Sequence, residues 1–283
     1  MPGRLEELKF EGAIAVLDIL GFKYRMAEMD IETLRDEVVG NMIISSSIAK
    51  EIIEHDLSNF ERYSKAVIRH IPINYLYFAD SVIFYLPRVK KSLFDTPQDI
   101  LESMIYLCCL IVARSIWLSI PLRGAIAYGE CLISHDPLYF IGKPFIEANE
   151  LEKKQQWAGV VLCESAESMI KGRDCTRVCQ WDVPMERGIS KKMFAINWPS
   201  YCLPPNTRYY RMTDNYDEFT EKVFGNNEGE IEWSKCFSQK SEKVLNMKRN
   251  TEKFFRDCNR IGASRYFGPE QRAKLLHWEK YYH

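Results

Sequence analysis

The stretch Gly12-Ala-Ile-Ala-Val-Leu-Asp18-Ile19-Leu20-Gly21-Phe22 decides the fold. Its apolar residues, bounded by two glycines, predict a buried strand over residues 12–20. From Phe22 to about Ile53 the apolar spacing becomes helical, with a break near Asp30. Asp18 stands at the end of the strand, where a carboxylate costs free energy unless a cation compensates it.

A second apolar run ends in the same way. Ile73-Asn-Tyr-Leu-Tyr-Phe-Ala-Asp80-Ser81 is followed at once by Val82-Ile-Phe-Tyr-Leu86. We predict a β-hairpin with strands over 71–78 and 82–86 and Asp80 at its tip. Two aspartates at strand ends indicate a shared divalent metal site and phosphate chemistry. From the residues alone, Asp18 is also explained as a helix cap, and Asp80 as an ordinary turn residue.

The remaining elements predict a mixed α+β fold. Asp95-Thr-Pro97 begins a buried helix that runs to about Leu118. Strands are predicted over 122–133, 160–163, 178–183 and 193–198, and a helix over 145–154. This order indicates a split βαβ sheet with helices packed on it. After Pro204-Pro205 the sequence becomes charged and mainly helical. We therefore expect one domain over residues 1–205 and a helical C-terminal extension over 206–283.

Composition excludes several classes of partner. The 283 residues carry a net charge of −1, which gives no global electrostatic reason to expect a nucleic-acid partner. The longest apolar stretch, residues 104–120, contains Arg114 and is shorter than a membrane span. The charged start lacks the apolar segment of a signal peptide, and the nine cysteines are scattered. We expect a cytoplasmic protein with reduced thiols and no membrane insertion.

Four motifs in register resemble the catalytic domain of class III nucleotide cyclases. They are Asp18-Ile-Leu-Gly-Phe22, Ala79-Asp80-Ser81, Leu122-Arg-Gly-Ala-Ile-Ala-Tyr-Gly129-Glu130, and Gly142 with Ala148 and Leu151-Glu152. The resemblance spans about residues 10–200 and is greatest to the bacterial pyrimidine cyclases of Pycsar anti-phage systems. It implies a ferredoxin-like sheet, a nucleoside triphosphate substrate, and a head-to-tail homodimer with sites at its interface.

The resemblance also implies roles for individual residues. Asp18 and Asp80 would bind two Mg²⁺ or Mn²⁺ ions, with the Ile19 carbonyl completing one coordination shell. Backbone amides of Leu20, Gly21 and Phe22 would hold phosphate oxygens.

Positively charged residues provide further candidate phosphate contacts. Arg123 matches an arginine that meets the triphosphate in the family, and a structural ion pair is the alternative. Arg187, Lys191 and Lys192 match a phosphate-binding position loosely, and a solvated basic turn is the alternative.

Two departures from the family concern the base. Leu76 replaces a base-reading lysine four residues before Asp80, and Tyr139 replaces a polar residue three before Gly142. A smaller and less polar pocket favours a pyrimidine over a purine. The alternative is that both residues belong to the hydrophobic core.

Two further departures concern the transition state. The family's asparagine and arginine correspond to Ile146 and Glu150, neither of which can replace them. Asn149 lies nearby but one residue away on the predicted helix. Either other groups, such as Arg123 and the basic turn, stabilise the transition state, or the site is impaired.

The sequence therefore predicts a metal-dependent cyclase. It would convert UTP or CTP to a 3′,5′-cyclic monophosphate and pyrophosphate, as a second messenger that activates a separate effector during phage infection. The alternatives are an adenylate cyclase with atypical base recognition and a catalytically inactive cyclase-like domain that binds nucleotide or a partner.

Overall fold

The computed structural model describes residues 7–58, 73–89, 96–118, 120–136, 138–172, 175, 177–201 and 242–265. The strands are β1 (Glu7–Ile19), β2 (Asn74–Phe78), β3 (Ser81–Pro87), β4 (Leu122–His135), β5 (Leu138–Gly142), β6 (Gly159–Leu162), β7 (Val178–Pro184) and β8 (Ser190–Ile196). The helices are α1 (Phe22–Glu28), α2 (Ile31–Leu34), α3 (Asn41–Ser58), α4 (Pro97–Trp117), α5 (Lys143–Lys154), α6 (Glu164–Ile170) and α7 (Glu242–Arg265). A π-helical segment (Arg35–Gly40) joins α2 to α3, and 3₁₀ turns lie at Glu186–Gly188 and Trp198–Tyr201.

The strand order confirms the predicted α+β fold with a split βαβ sheet. The first four strands lie in the order β2-β3-β1-β4, and every neighbouring pair is antiparallel. β3 is thus inserted between β1 and β2, which are linked by helices, as in a ferredoxin-like sheet. The sheet continues from β4 through a parallel pair with β6 to β8 and β7, while β5 pairs with the other end of β4.

β1 is central to this sheet because it has partners on both sides. β3 pairs with it from Gly12 to Asp18, and β4 pairs with it along its whole length. The five residues between Gly12 and Asp18 are all buried. The unbroken apolar run therefore reflects a strand covered on both faces.

Helices cover the two faces of the sheet differently. Arg123 and Gly124 are adjacent in β4 and so point to opposite faces. α5 lies on the Arg123 face, where Glu152 contacts that arginine. α3 lies on the other face, where the Ser46 hydroxyl is 3.5 Å from that of Tyr77. α4 packs against α3 and β1, and this places it in the core.

α4 begins as the sequence predicts. Thr96 caps it by accepting a hydrogen bond from the Asp99 amide at 3.1 Å, and Pro97 opens the first turn. Its residues from Ile100 to Ile116 are mostly fully buried, including the adjacent cysteines Cys108 and Cys109. None of the helices that the structure describes has the length and apolar character needed to cross a membrane.

α7 is the part of the predicted C-terminal extension that the structure describes, and it packs on the domain. Phe254 and Phe255 are fully buried in the same core as the sheet. The centroid of the Phe254 ring lies 4.6 Å from the ring centroid of Trp157 and 4.9 Å from that of Trp181. The rest of the extension, and the start of the second predicted strand at Ile71, lie outside the described residues.

The largest differences between the structure and the sequence expectations lie in two strands. β1 begins at Glu7, not residue 12, because Leu8 and Phe10 alternate with charged residues in the pattern of a half-covered strand. β5 is absent from the predicted order. It has only five residues, and its last residue, Gly142, is also the N-cap of α5. Its pairing with β4 from Cys131 to His135 determines it.

The close pairing of β1 with β3 yields a stability prediction. A Cβ at Gly12 would lie 2.2 Å from the Leu86 carbonyl oxygen, whereas one at Gly40 would lie 3.5 Å from the Arg35 oxygen. We expect Gly12→Ala to lower the free energy of unfolding by about 1–3 kcal/mol, because the backbone must move. Gly40→Ala is the control, and we expect it to raise that free energy by up to about 1 kcal/mol. Urea unfolding measures both, and equal stabilities would contradict the close approach of β3 to Gly12.

Candidate active site

The end of β1 and the hairpin tip bring Asp18 and Asp80 together. Asp18 pairs in register with Ser81, the first residue of β3. The Ile19 amide donates a hydrogen bond to the Asp80 carbonyl at 2.7 Å, which fixes the tip against β1. Ala79, before Asp80, has φ 54°, a left-handed conformation that costs a non-glycine residue about 1 kcal/mol. The predicted hairpin is confirmed, and its strained turn presents Asp80 beside Asp18.

Arg123 links Asp18 to α5. In register, Arg123 pairs with Asp18, so both side chains leave the same face of the sheet. Its Nη2 donates to Asp18 Oδ2 at 3.2 Å and its Nε donates to Glu152 Oε1 at 2.5 Å. Its Nη1 donates to the carbonyl of Gln155 at 3.1 Å. The structural ion pair considered for Arg123 is thus present. Of the five guanidinium N–H groups, these contacts use three and leave two for a phosphate.

The site holds more negative charge than Arg123 alone compensates. Burial raises the pKa of Asp18, the Arg123 guanidinium opposes the shift, and the Asp80 carboxylate adds to it. Burial raises the pKa of Glu152 to about 6, against the effect of Arg123 and with a contribution from Asp18. Arg123 lowers the pKa of both carboxylates, but the loss of solvation on burial raises both pKa values by more. A further cation at this place would stabilise the ionised forms.

The two aspartates suit a hard divalent cation. They provide carboxylate oxygens at one point of the sheet, and Mg²⁺ and Mn²⁺ prefer oxygen ligands. Within the described ranges, no cluster of three or more His, Cys, Asp or Glu side chains is arranged to hold a metal ion. A site here would therefore depend on Asp18, Asp80 and backbone or substrate oxygens, as in the predicted ligand set with the Ile19 carbonyl.

The turn after β1 carries the three backbone amides that were predicted to hold phosphate oxygens, those of Leu20, Gly21 and Phe22. Gly21 precedes α1 with φ 79°, a left-handed conformation that glycine adopts without strain. The Phe22 amide is the first N–H of α1, a position that has no acceptor within its own helix. The Leu20 amide, however, donates to the Pro121 carbonyl at 2.9 Å. The prediction that Leu20 offers its amide to phosphate is therefore wrong, while those for Gly21 and Phe22 stay predictions.

The predicted basic turn lies next to the segment that contacts Arg123. Arg187 sits in the 3₁₀ turn between β7 and β8, and it lines a shallow cavity of about 250 Å³ with Lys154, Met185 and Glu186. Met185 forms a β-bridge with Gln155, whose carbonyl accepts from Arg123. Lys191 and Lys192 are exposed on β8. Their side chains are solvated, and a role for all three cations towards phosphate stays a prediction.

The two predicted base-pocket residues lie on different strands. Leu76 is half-buried on β2 and shares the Arg123 face of the sheet, because it pairs with Ile83, which pairs with Val16. Tyr139 is on β5, and its hydroxyl donates to the Glu7 carboxylate at the opposite end of β1 from Asp18. Tyr139 of the same chain therefore does not adjoin Asp18. Their joint role in reading a base stays a prediction.

The residues at the family's transition-state positions lie on an outer face of α5. Ile146 is 56% exposed, and Glu150 is exposed and pairs with Lys154 at 3.9 Å. Asn149 is half-buried and lies one turn before Lys153. Glu152 contacts Arg123, the partner of Asp18, and Asn149 lies about 60° around the helix from Glu152, whereas Ile146 and Glu150 lie about 120° and 160° around from it. Asn149 thus lies on the flank of α5 nearer to Asp18 than Ile146 and Glu150 do.

The chain was compared with known families, curated proteins and solved structures. No family model and no curated protein matches it. Similar structures include the adenylyl cyclase CyaB from P. aeruginosa, with 15% identity and a TM-score of 0.47, covering 68% of this chain and 96% of that one. Another is the guanylate cyclase domain of RhGC from Catenaria anguillulae in complex with GTP, with 12% identity and a TM-score of 0.43, covering 66% and 97%.

Sequence reasoning gave no role to four residues that contribute to the site. Glu152 was part of the last motif, and its position on the buried face of α5 with Phe145 and Ala148 could have indicated a buried ion pair. Lys23 and Lys153 both lower the pKa of Asp18. Gln155 has no sequence signal, because its contact with Arg123 depends on how α5 ends.

The raised pKa of Glu152 predicts a pH dependence of stability. Its pKa rises from 4.5 in the unfolded chain to about 6, so the folded protein binds the proton more tightly. Stability is therefore highest below pH 4.5 with respect to this group, and it falls as the pH rises through 6. We expect the free energy of unfolding of the wild type, relative to Glu152→Gln, to fall by about 2 kcal/mol across this range.

Urea unfolding of both proteins at pH 4 to 7, with a chelator present, measures this difference. The isosteric glutamine serves as the control because it cannot ionise. A difference that stays constant, or that grows in favour of the wild type as the pH rises, would contradict the buried state of Glu152.

Proposed function

We propose that the chain is a metal-dependent nucleotide cyclase that converts a pyrimidine nucleoside triphosphate, UTP or CTP, to its 3′,5′-cyclic monophosphate and pyrophosphate. The observation that supports this most is the placement of Asp18 and Asp80 together, with Arg123 bound to Asp18 on the same face of the sheet. Paired carboxylates beside an arginine suit a triphosphate with its cations.

Each group would act on a different part of the substrate. Asp18 and Asp80 would hold two divalent cations, which when bound lower the pKa of the ribose 3′-hydroxyl and neutralise the triphosphate. The 3′-oxygen would lose its proton to solvent and attack the α-phosphorus, and the bond from that phosphorus to the oxygen that bridges it to the β-phosphorus would break, so that pyrophosphate leaves with that oxygen. The two remaining N–H groups of Arg123, and the amides of Gly21 and Phe22, would orient the phosphates.

Positive charge around the site supports the same assignment. Lys23 and Lys153 both lower the pKa of Asp18, so they add positive potential at that carboxylate, which suits an anionic substrate. Arg187, with Lys191 and Lys192, would extend this positive region past the segment that Arg123 contacts. These cations, together with Asn149, are the candidates to stabilise the transition state in place of the family's asparagine and arginine.

Leu76 and Tyr139 are the candidate residues for recognition of a pyrimidine base, and their positions favour a homodimer. Leu76 and Tyr139 offer no charged group for a purine edge, and they would narrow the pocket around a smaller base. Because Tyr139 lies far along β1 from Asp18 in its own chain, a head-to-tail homodimer is the arrangement in which one chain's base-reading residues serve the other's aspartates. The cyclic product would be a second messenger in anti-phage signalling.

A second candidate function is binding without catalysis. The observation that favours it is the outer, solvent-facing position of Ile146 and Glu150, which cannot stabilise a transition state as an asparagine and an arginine do. On this alternative the domain binds nucleotide and signals by conformation. An adenylate cyclase with atypical base recognition remains the alternative within the enzyme class.

One product assay separates these functions. Purified protein is incubated with each of the four ribonucleoside triphosphates and Mn²⁺, and the products are resolved chromatographically. We expect a cyclic pyrimidine monophosphate from the wild type and a loss of at least about 100-fold in Asp18→Asn and Asp80→Asn, because each substitution removes a charged metal ligand. Asp182→Asn, an exposed carboxylate on β7, is the matched control and should keep full activity.

The other outcomes have definite meanings. Cyclic AMP as the sole product would contradict the assignment of Leu76 and Tyr139. A wild type that binds nucleotide but forms no cyclic product with any of the four would support the binding function over the cyclase.

A further inference from the structure

A short segment joins the candidate active site to the C-terminal helix. Residues 155–158, which we call the connector, link α5 to β6. At one end, the Gln155 carbonyl accepts a hydrogen bond from Arg123 Nη1 at 3.1 Å. At the other end, the Ala158 amide donates to Thr251 Oγ1 of α7 at 2.8 Å. The connector therefore touches the phosphate-binding candidate and α7 at the same time.

Gln155 is the residue that fixes the connector to the site. It is fully buried, and its side chain uses both of its polar atoms. Nε2 donates to the Gly124 carbonyl at 2.8 Å, next to Arg123 in β4, and Oε1 accepts from Trp157 Nε1 at 2.9 Å. A fully satisfied buried network of this kind specifies a single geometry, because breaking one contact leaves a buried polar atom without a partner.

α7 contacts three successive residues of the connector, Gln156, Trp157 and Ala158. Asn250 Nδ2 donates to the Gln156 carbonyl at 2.8 Å, and Thr251 accepts from the Ala158 amide. Between them, the Trp157 ring contacts Phe254, with ring centroids 4.6 Å apart. Thr251 is itself fully buried, and its hydroxyl donates to the Met247 carbonyl at 2.8 Å within α7. The hydroxyl therefore acts as donor and acceptor in one buried place.

We propose that α7 positions Arg123, and that Gln155 is the positioning residue through which it acts. The inference rests on the proposed function in that Arg123 is taken as a phosphate-binding group. When α7 is docked, the connector keeps the Gln155 carbonyl on the guanidinium, which stays directed at Asp18. When α7 is released, the connector relaxes, and Arg123 loses one of its three fixed acceptors. The C-terminal helix thus sets the geometry of the triphosphate site without touching substrate.

The matched pair Thr251→Val and Thr251→Ser tests the link. Valine has the shape of threonine but cannot accept from the Ala158 amide, whereas serine keeps the hydroxyl. The readout is the solvent exchange of the Arg123 Nε–H proton, followed by NMR in metal-free protein and assigned with Arg123→Lys. This proton is held by Glu152, so its exchange reports how firmly the arginine is placed.

We expect exchange about fivefold faster or more in Thr251→Val, because an unsatisfied buried amide destabilises the docked connector. Thr251→Ser should match the wild type, as should Lys253→Ala, which changes an exposed side chain of α7. Asn250→Ala, which removes the bond to Gln156, is the second perturbing variant should Thr251→Val fail to fold. Wild-type exchange in the folded perturbing variants would overturn the proposal.

Kinetics add a test that a purely structural role would not pass. In the active protein, well below its unfolding temperature, we expect Thr251→Val to raise the KM for Mn²⁺-UTP or Mn²⁺-CTP, with Thr251→Ser restoring it. In an Arg123→Lys background the same substitution should have no further effect, because the group it positions is absent. Additive effects would overturn the proposal. Since the exchange measurement needs no turnover, absence of a cyclic product would reject the proposed activity and leave the positioning tested.

Discussion

One buried arginine between two carboxylates organises the functional part of this molecule. Arg123 binds Asp18 on the neighbouring strand and Glu152 on the helix above, and its own side chain is 12% exposed. Removing Arg123 would leave two largely buried carboxylates without their common cation, and breaking buried pairs in this way costs about 3–5 kcal/mol. The ion pairs therefore fix α5 over the end of β1, where the strained hairpin tip also places Asp80.

The same interaction does not fully offset the burial of the two carboxylates. Burial raises the pKa of both Asp18 and Glu152 in spite of the arginine. A divalent cation would compensate the aspartates, and an anionic substrate would in turn be held by the surrounding cations. The connector adds a mechanical constraint, since Gln155 and α7 fix the third acceptor of Arg123. Two carboxylates and one buried carbonyl thus fix the position of the Arg123 guanidinium.

Local patterns predicted the framework, and long-range pairing determined the rest. The apolar runs ending at Asp18 and Asp80 were sufficient for the central strand and the hairpin, because each is continuous in sequence. β5 could not be predicted, since its five residues are defined by their pairing with β4. Glu152 and Gln155 gained their roles only when α5 was placed against Arg123. The prediction that the Leu20 amide binds phosphate was wrong because this amide donates a hydrogen bond to the Pro121 carbonyl, which is distant in sequence.

We propose that Asp18 and Asp80 form a divalent metal site, and Mn²⁺ binding to the purified protein reports on this site without requiring turnover. Metal-free wild type, Asp18→Asn, Asp80→Asn and Asp182→Asn are titrated with Mn²⁺, and the free ion is followed by electron paramagnetic resonance. We expect binding to the wild type and to Asp182→Asn, and loss of binding in the other two variants, since each removes a charged oxygen ligand. Binding that is unchanged in Asp18→Asn and Asp80→Asn, or that is absent from the wild type at millimolar Mn²⁺, would contradict a metal site at these two aspartates.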